Sequence, residues 1–218
     1  MRNSSVVLAD LAQVAIEHVI HDKNAEYDKV IEVKRVTSIT VPYKITDVAY
    51  FVNDNPRVKS KLTVAMAPGK KDAYWNRDLL EDLKCIKKCD INVIVCLLEW
   101  SEMRILGISE YPKLARDNGL TFYHLPIRDR GYPTASELHI LIPTITSKLL
   151  FGQNVLIHCS AGLGRAGTIS ACCLTYFGFT SEEAISTVRK RRQGAIQTEK
   201  QEGCIHDYEK NIKQIRGK

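Results

Sequence analysis

The chain has 218 residues, 44% hydrophobic and 26% charged, with 31 Lys and Arg against 25 Asp and Glu for a net charge of +6. That length and apolar content suffice for one domain, or one domain with an extension, and exclude a disordered chain or a small disulfide-stapled one. The charge excess suits an anionic substrate and is too small to point to nucleic acid, while seven scattered cysteines fit free thiols in a reducing compartment.

In chain order, Val7, Leu8, Leu11, Val14, Ala15, His18 and Val19 recur at helical spacing and predict an amphipathic helix from Ser4 to about Ile20. Asp10, Gln13, Glu17 and His18 interrupt this run, so neither a signal peptide nor a membrane span is expected. The chain ends Gln-Ile-Arg-Gly-Lys, without a prenylation box. A soluble cytoplasmic protein with no membrane anchor is the expectation, with nuclear entry left open. Short strands are expected at Val30–Val33 and Ser38–Val41, a loop at Asn53–Pro56 and a strand at Leu62–Met66. A helix over Asn76–Lys88 and a buried strand over Ile91–Leu98 follow. Next come a helix over Glu110–Asn118 and a strand over Thr121–Leu125. Thr134 and Glu137 form a capping box for a helix to about Leu150, in which Pro143 predicts a kink or a late start. A strand at Asn154–His158 precedes a helix over Arg165–Phe177. Thr180 and Glu183 cap a helix to about Arg192, and the last helix spans Thr198–Lys213. This alternation predicts an α/β fold, a mostly parallel central sheet flanked by helices on both faces. Residues 1–55 are expected to form an N-terminal extension packing on the core, and residues 56–218 the main domain.

The stretch from His158 to Arg165 carries the chemistry. Cys159 and Arg165 lie at the two ends of a strand-to-helix loop made of Ser160, Ala161, Gly162, Leu163 and Gly164. The loop amides and the following helix N-terminus favour an oxyanion, and the glycines permit close approach. The same field favours a thiolate, the nucleophilic form of cysteine. Arg165 offers a planar fork that matches two phosphate oxygens. Asp129 falls on the loop after the strand Thr121–Leu125, before Gly131 and Pro133. Both loops follow strands directly and should lie at the carboxyl edge of the sheet.

On these residues the sequence resembles the cysteine-dependent protein phosphatases with the signature His-Cys-x5-Arg, from about residue 60 to 212. The resemblance implies Cys159 as nucleophile, Arg165 as phosphoryl binder and Asp129 as general acid on a mobile loop. The segment Ile196-Gln197-Thr198 resembles one whose glutamine orients the hydrolytic water in several subfamilies. Gln197 is the first candidate for that role and Gln201 the second. His158 is a supporting residue, and Glu99 a candidate brace for Arg165. Cys96, ending the apolar strand, is a candidate redox partner for oxidised Cys159. No cofactor or metal is implied; Cys85 and Cys89 sit four apart but lack a second ligand pair.

The acid loop and the Ile-Gln-Thr segment resemble the atypical dual-specificity branch, including kinase-associated phosphatase, whereas the Cys loop resembles phosphatases of regenerating liver. Ala166 departs from the family, where Ser or Thr hydrogen-bonds the departing thiolate. The implied function is hydrolysis of phosphotyrosine, with phosphoserine and phosphothreonine also open, on a phosphoprotein partner. Ala166 leaves open a near-inactive phosphoprotein-binding module. A phosphatase of phosphoinositides or RNA 5′ phosphates is a third reading, weakened because the Cys loop holds no lysine. The run Arg189–Arg192 reads as a solvated helix end or a dock for an acidic segment. Oligomeric state is not encoded in any feature of the sequence.

Overall fold

The computed structural model describes residues 35–52 and 59–217. The helix expected over Ser4–Ile20, the strand at Val30–Val33 and the loop at Asn53–Pro56 lie outside them. A five-stranded sheet forms the centre, in the order β2 (Thr46–Val52), β3 (Lys59–Ala65), β7 (Asn154–His158), β5 (Ile91–Cys96), β6 (Thr121–His124). β3, β7, β5 and β6 run parallel, and β2 pairs antiparallel with β3. A separate parallel pair joins β1 (Val36–Thr37) to β4 (Trp75–Asn76).

Helices cover both faces, as continuous apolar strands require. In β5, Val93 and Val95 face one core, while Ile94 and Cys96 face the other. The first core is closed by α4 (Ala135–Leu150), α5 (Gly164–Tyr176), α6 (Ser181–Arg191) and α7 (Glu199–Arg216). The second is closed by α1 (Leu79–Lys88), α2 (Trp100–Ile105) and α3 (Tyr111–Asp117). Local chemistry sets the helix starts. Thr134 accepts from the Glu137 N–H and Thr180 from the Glu183 N–H, both within capping boxes, and Asp78 accepts from the Glu81 N–H. A buried ion pair ties α1 to its surroundings. Asp82 receives Arg77 Nε at 2.8 Å and Nη2 at 2.7 Å, together with the Gly69 N–H and the Ser38 hydroxyl. Such saturation is what a buried charge demands.

Two local expectations need correction. Ser38–Val41 is turn and not strand, because Thr37 and Thr40 exchange side-chain bonds that compete with a ladder. α4 starts at Ala135 and runs through Pro143, so of the kink and the late start expected from this proline the late start does not occur; the ring costs one helical bond, to the His139 carbonyl. β2 belongs to the stretch assigned to the N-terminal extension, and it pairs along β3 from Thr46 to Val52. No helix among the described residues is long and apolar enough to cross a membrane.

Candidate active site

The carboxyl ends of β7, β5 and β6 bring the chemistry to one edge. β7 leads into Cys159, β5 into α2, and β6 into the loop bearing Asp129. Between Cys159 and α5, four consecutive carbonyls turn outward. Ser160 O accepts from the Ala67 N–H at 3.1 Å, and Leu163 O from the Gly167 N–H at 2.9 Å. Ala161 O accepts from Arg192 Nη2 at 3.1 Å and Gly162 O from Arg192 Nε at 3.3 Å. In a trans peptide the N–H points opposite its carbonyl, so the loop amides turn inward and form an anion nest. Gly162 makes the loop possible. Its φ is +70°, and a Cβ there would stand 2.2 Å from the carbonyl oxygen of Ala65.

A cavity of about 630 Å³ opens over this nest, lined by Cys159, Ser160, Ala161, Gly164 and Arg165 on its floor. Asp129, Arg130, Arg189 and the segment Gly194–Gln197 form its walls. Cys159 and Arg165 are both buried. Arg165 Nη1 donates to Glu102 Oε2 at 2.6 Å and to Ile127 O at 2.8 Å. Its Nη2 donates to Glu102 Oε1 at 2.8 Å and to Asp129 Oδ1 at 3.0 Å. The brace is therefore Glu102 and not Glu99. Glu99 is the N-cap of α2, and the helix swings the residue three positions on toward Arg165. Burial alone would push the Glu102 carboxyl up, but the Arg165 guanidinium and the Glu99 N–H hold it below the usual range.

Asp129 is exposed and meets Arg165 at the cavity wall. Gln197 is exposed and lines the cavity, and Gln201 is fully buried. The Gln201 amide accepts from the Gln197 N–H at 2.9 Å and donates to Gly131 O at 2.9 Å. It is a positioning residue that ties the Asp129 loop to the Gln197 segment. Arg189 fixes the same segment by donating to the carbonyls of Ala195 and Ile196.

His158 precedes Cys159, with Nε2 3.0 Å from Tyr111 Oη and Nδ1 3.4 Å from Cys159 O. Burial pulls its pKa down to about 3, so the imidazole is neutral at physiological pH. The strand register sets Cys96 opposite His158, one residue before Cys159. Burial pushes the Cys96 thiol up to about 12. Ala166 is buried at the start of α5, and the Thr168 hydroxyl is turned away to Gly164 O at 2.9 Å. Among the described residues, no group of three or more His, Cys, Asp or Glu is placed to hold a metal ion.

The sequence did not single out Glu102, Tyr111 or Arg192 in these roles. Arg192 carried a signal only as part of a basic run, which now divides: Arg189 and Arg192 clamp the two loops of the site.

A family model described as PTP-SAK, a Swiss Army Knife protein with a DSP-PTPase phosphatase domain, matches residues 66–205. The chain belongs to this phosphatase family. Cyclin-dependent kinase inhibitor 3 of Homo sapiens is 31% identical over 150 residues, covering 67% of this chain and 71% of that one. The crystal structure of kinase associated phosphatase, with its catalytic-site cysteine replaced by serine, matches with a TM-score of 0.70 at 28% identity, covering 79% of this chain and 97% of that one. The active form of Tk-PTP matches with a TM-score of 0.60 at 27% identity, covering 69% and 92%. The DSP-PTPase match spans β5, β6, β7 and every helix that carries a residue of the cavity floor. This chain is thus a phosphatase of the dual-specificity and tyrosine type.

Proposed function

We propose that this phosphatase hydrolyses phosphotyrosine, and phosphoserine or phosphothreonine, on protein substrates through a phosphocysteine at Cys159. The carrying observation is the nest of inward amides over Cys159, closed by the Arg165 fork. In the first step the Cys159 sulfur attacks phosphorus and the ester oxygen departs with a proton from Asp129. The incoming phosphoryl group competes with Asp129 for Arg165, which frees the acid as substrate arrives. In the second step water, oriented by Gln197, attacks the phosphocysteine and releases phosphate and the thiolate. A relative named kinase associated phosphatase supports a phosphorylated protein as substrate. All seven cysteines are free, which supports a reducing compartment, cytoplasmic or nuclear.

The test is phosphate release from phosphotyrosine and phosphothreonine peptides. Cys159→Ser should abolish release while keeping peptide binding. Asp129→Asn should slow poor leaving groups by roughly two orders of magnitude and good ones much less. Release retained by Cys159→Ser would sink the assignment of the nucleophile.

A further inference from the structure

Four charged side chains line the cavity: Asp129, Arg130, Arg165 and Arg189. Arg165 holds Glu102 and Asp129. Arg189 donates to Glu202 at 2.5 Å and to Ile196 O at 2.8 Å. Arg130 is exposed and, among the described residues, has no hydrogen bond or ion pair. The wall of the cavity therefore carries one guanidinium whose charge is not answered from within the chain.

The backbone below it is strained. The Gly131 N–H donates to Arg128 O at 2.8 Å, which closes a tight turn with Asp129 and Arg130 at its tip. Arg130 has φ 60°, a conformation that glycine or asparagine adopts more readily in this third turn position. The turn puts Asp129 and Arg130, successive residues, on the same cavity. Asp129 meets Arg165, and Arg130 stands beside it facing whatever flanks the phosphoryl group.

An unpaired charge on a basic cleft attracts anions over about 8 Å at physiological ionic strength. A guanidinium fork also matches a carboxylate or a phosphate in bidentate fashion. The phosphoryl group under attack is already served by the amides and Arg165. What Arg130 is free to take is a second anion on the same substrate. Resting on the phosphatase reading of this cavity, we infer that Arg130 is a specificity-determining residue, selecting phosphopeptides with a second negative charge beside the phosphoresidue. That charge is a neighbouring carboxylate or a second phosphate.

The experiment compares kcat/KM for three phosphopeptides that differ only at the flanking position: Gln, Glu or phosphoserine, the last as its non-hydrolysable phosphonate. Taking the ratio of each acidic peptide to the Gln peptide cancels changes in the shared chemical step. The wild-type ratio should be about fivefold, as expected for a solvent-exposed ion pair, and should shrink as salt is raised. Arg130→Gln should bring the ratio to about one. Arg130→Gly suits the positive φ and should do the same, which separates the charge from the turn geometry. Arg130→Glu should invert the preference, and Arg130→Lys should restore most of it. Whether the Glu or the phosphoserine arm shows the larger ratio tells which anion is read. Ratios unchanged in Arg130→Gln and Arg130→Glu overturn the inference while leaving the phosphatase reading intact. Preference for a bisphosphorylated inositol headgroup over every peptide overturns the assignment to peptides. Absence of phosphate release from all substrates by the wild type overturns both readings.

Discussion

Arg165 and Glu102 meet through two parallel hydrogen bonds of 2.6 and 2.8 Å, with side chains only 2% and 19% exposed. The pair braces the Arg165 guanidinium at the cavity floor. Because the folded Glu102 carboxyl titrates below its ordinary value, its stabilising contribution is complete above the unfolded value of about 4.3. It fades as pH falls through the lower, folded value. Urea unfolding across acidic pH should therefore show a loss of stability in the wild type that is shallower in Glu102→Gln. The variant should also lose about tenfold or more in kcat/KM, since a hydrogen bond to a charged group is weakened. Identical acid slopes in the two proteins would count against the brace.

Arg192 holds the carbonyls of Ala161 and Gly162 and reaches Thr46 on β2 at 3.3 Å. Arg192→Met should leave those carbonyls free to turn inward and displace the amides. Inhibition by inorganic phosphate should weaken by about tenfold, with KM rising more than kcat falls. A merely structural role would instead lower stability and leave KM and phosphate inhibition alone.

Ala166 offers no hydroxyl to a Cys159 thiolate, and the Thr168 hydroxyl is turned to Gly164 O instead. Loss of such a bond slows the second step by about tenfold to hundredfold if it matures only in the transition state. The first step relies on Arg165 and the loop amides and is less affected. Rapid mixing should show a burst stoichiometric with enzyme, then slow turnover and a trappable phosphoenzyme. Ala166→Ser should accelerate the slow phase. A linear time course with no gain in the variant would show that hydrolysis is not limiting.

Cys96 is the redox candidate, and the register next to His158 puts it within the neighbourhood of Cys159. Its raised pKa makes it a poor attacking thiol at neutral pH. A bridge formed after mild peroxide should therefore appear slowly and faster at alkaline pH. Peptide mapping decides the matter: Cys159 joined to Cys172 or Cys173, or to no cysteine, removes Cys96 from the mechanism.

Elements with strong local chemistry were legible in the sequence. The capping boxes at Thr134 and Thr180 marked two helix starts to the residue. The apolar runs of β5 and β7 and the glycines after Cys159 located the cavity floor. Features fixed by distant contacts were not. β2 has the apolar stretch Val48-Ala49-Tyr50-Phe51-Val52, but its place as an edge strand rests on antiparallel pairing with β3, a contact that no local pattern encodes. α2 has six residues and little periodicity, so the choice between Glu99 and Glu102 could not be made without its geometry. Arg192 looked like its basic neighbours, since nothing nearby in sequence encodes a bond to Gly162, thirty residues away.

The glycines of the Cys loop also limit how the cavity floor can diversify. Position 162 is blocked by the backbone of β3, and a Cβ at position 164 would stand 2.8 Å from Gln197 Oε1 and 2.9 Å from Gln201 Nε2. Ala161, just before them, is exposed, so it is a loop position where a longer or charged side chain can be added toward solvent. Descendants of this sequence that acquire a new phosphorylated substrate should therefore vary at Ala161 and along the walls, while both glycines stay fixed.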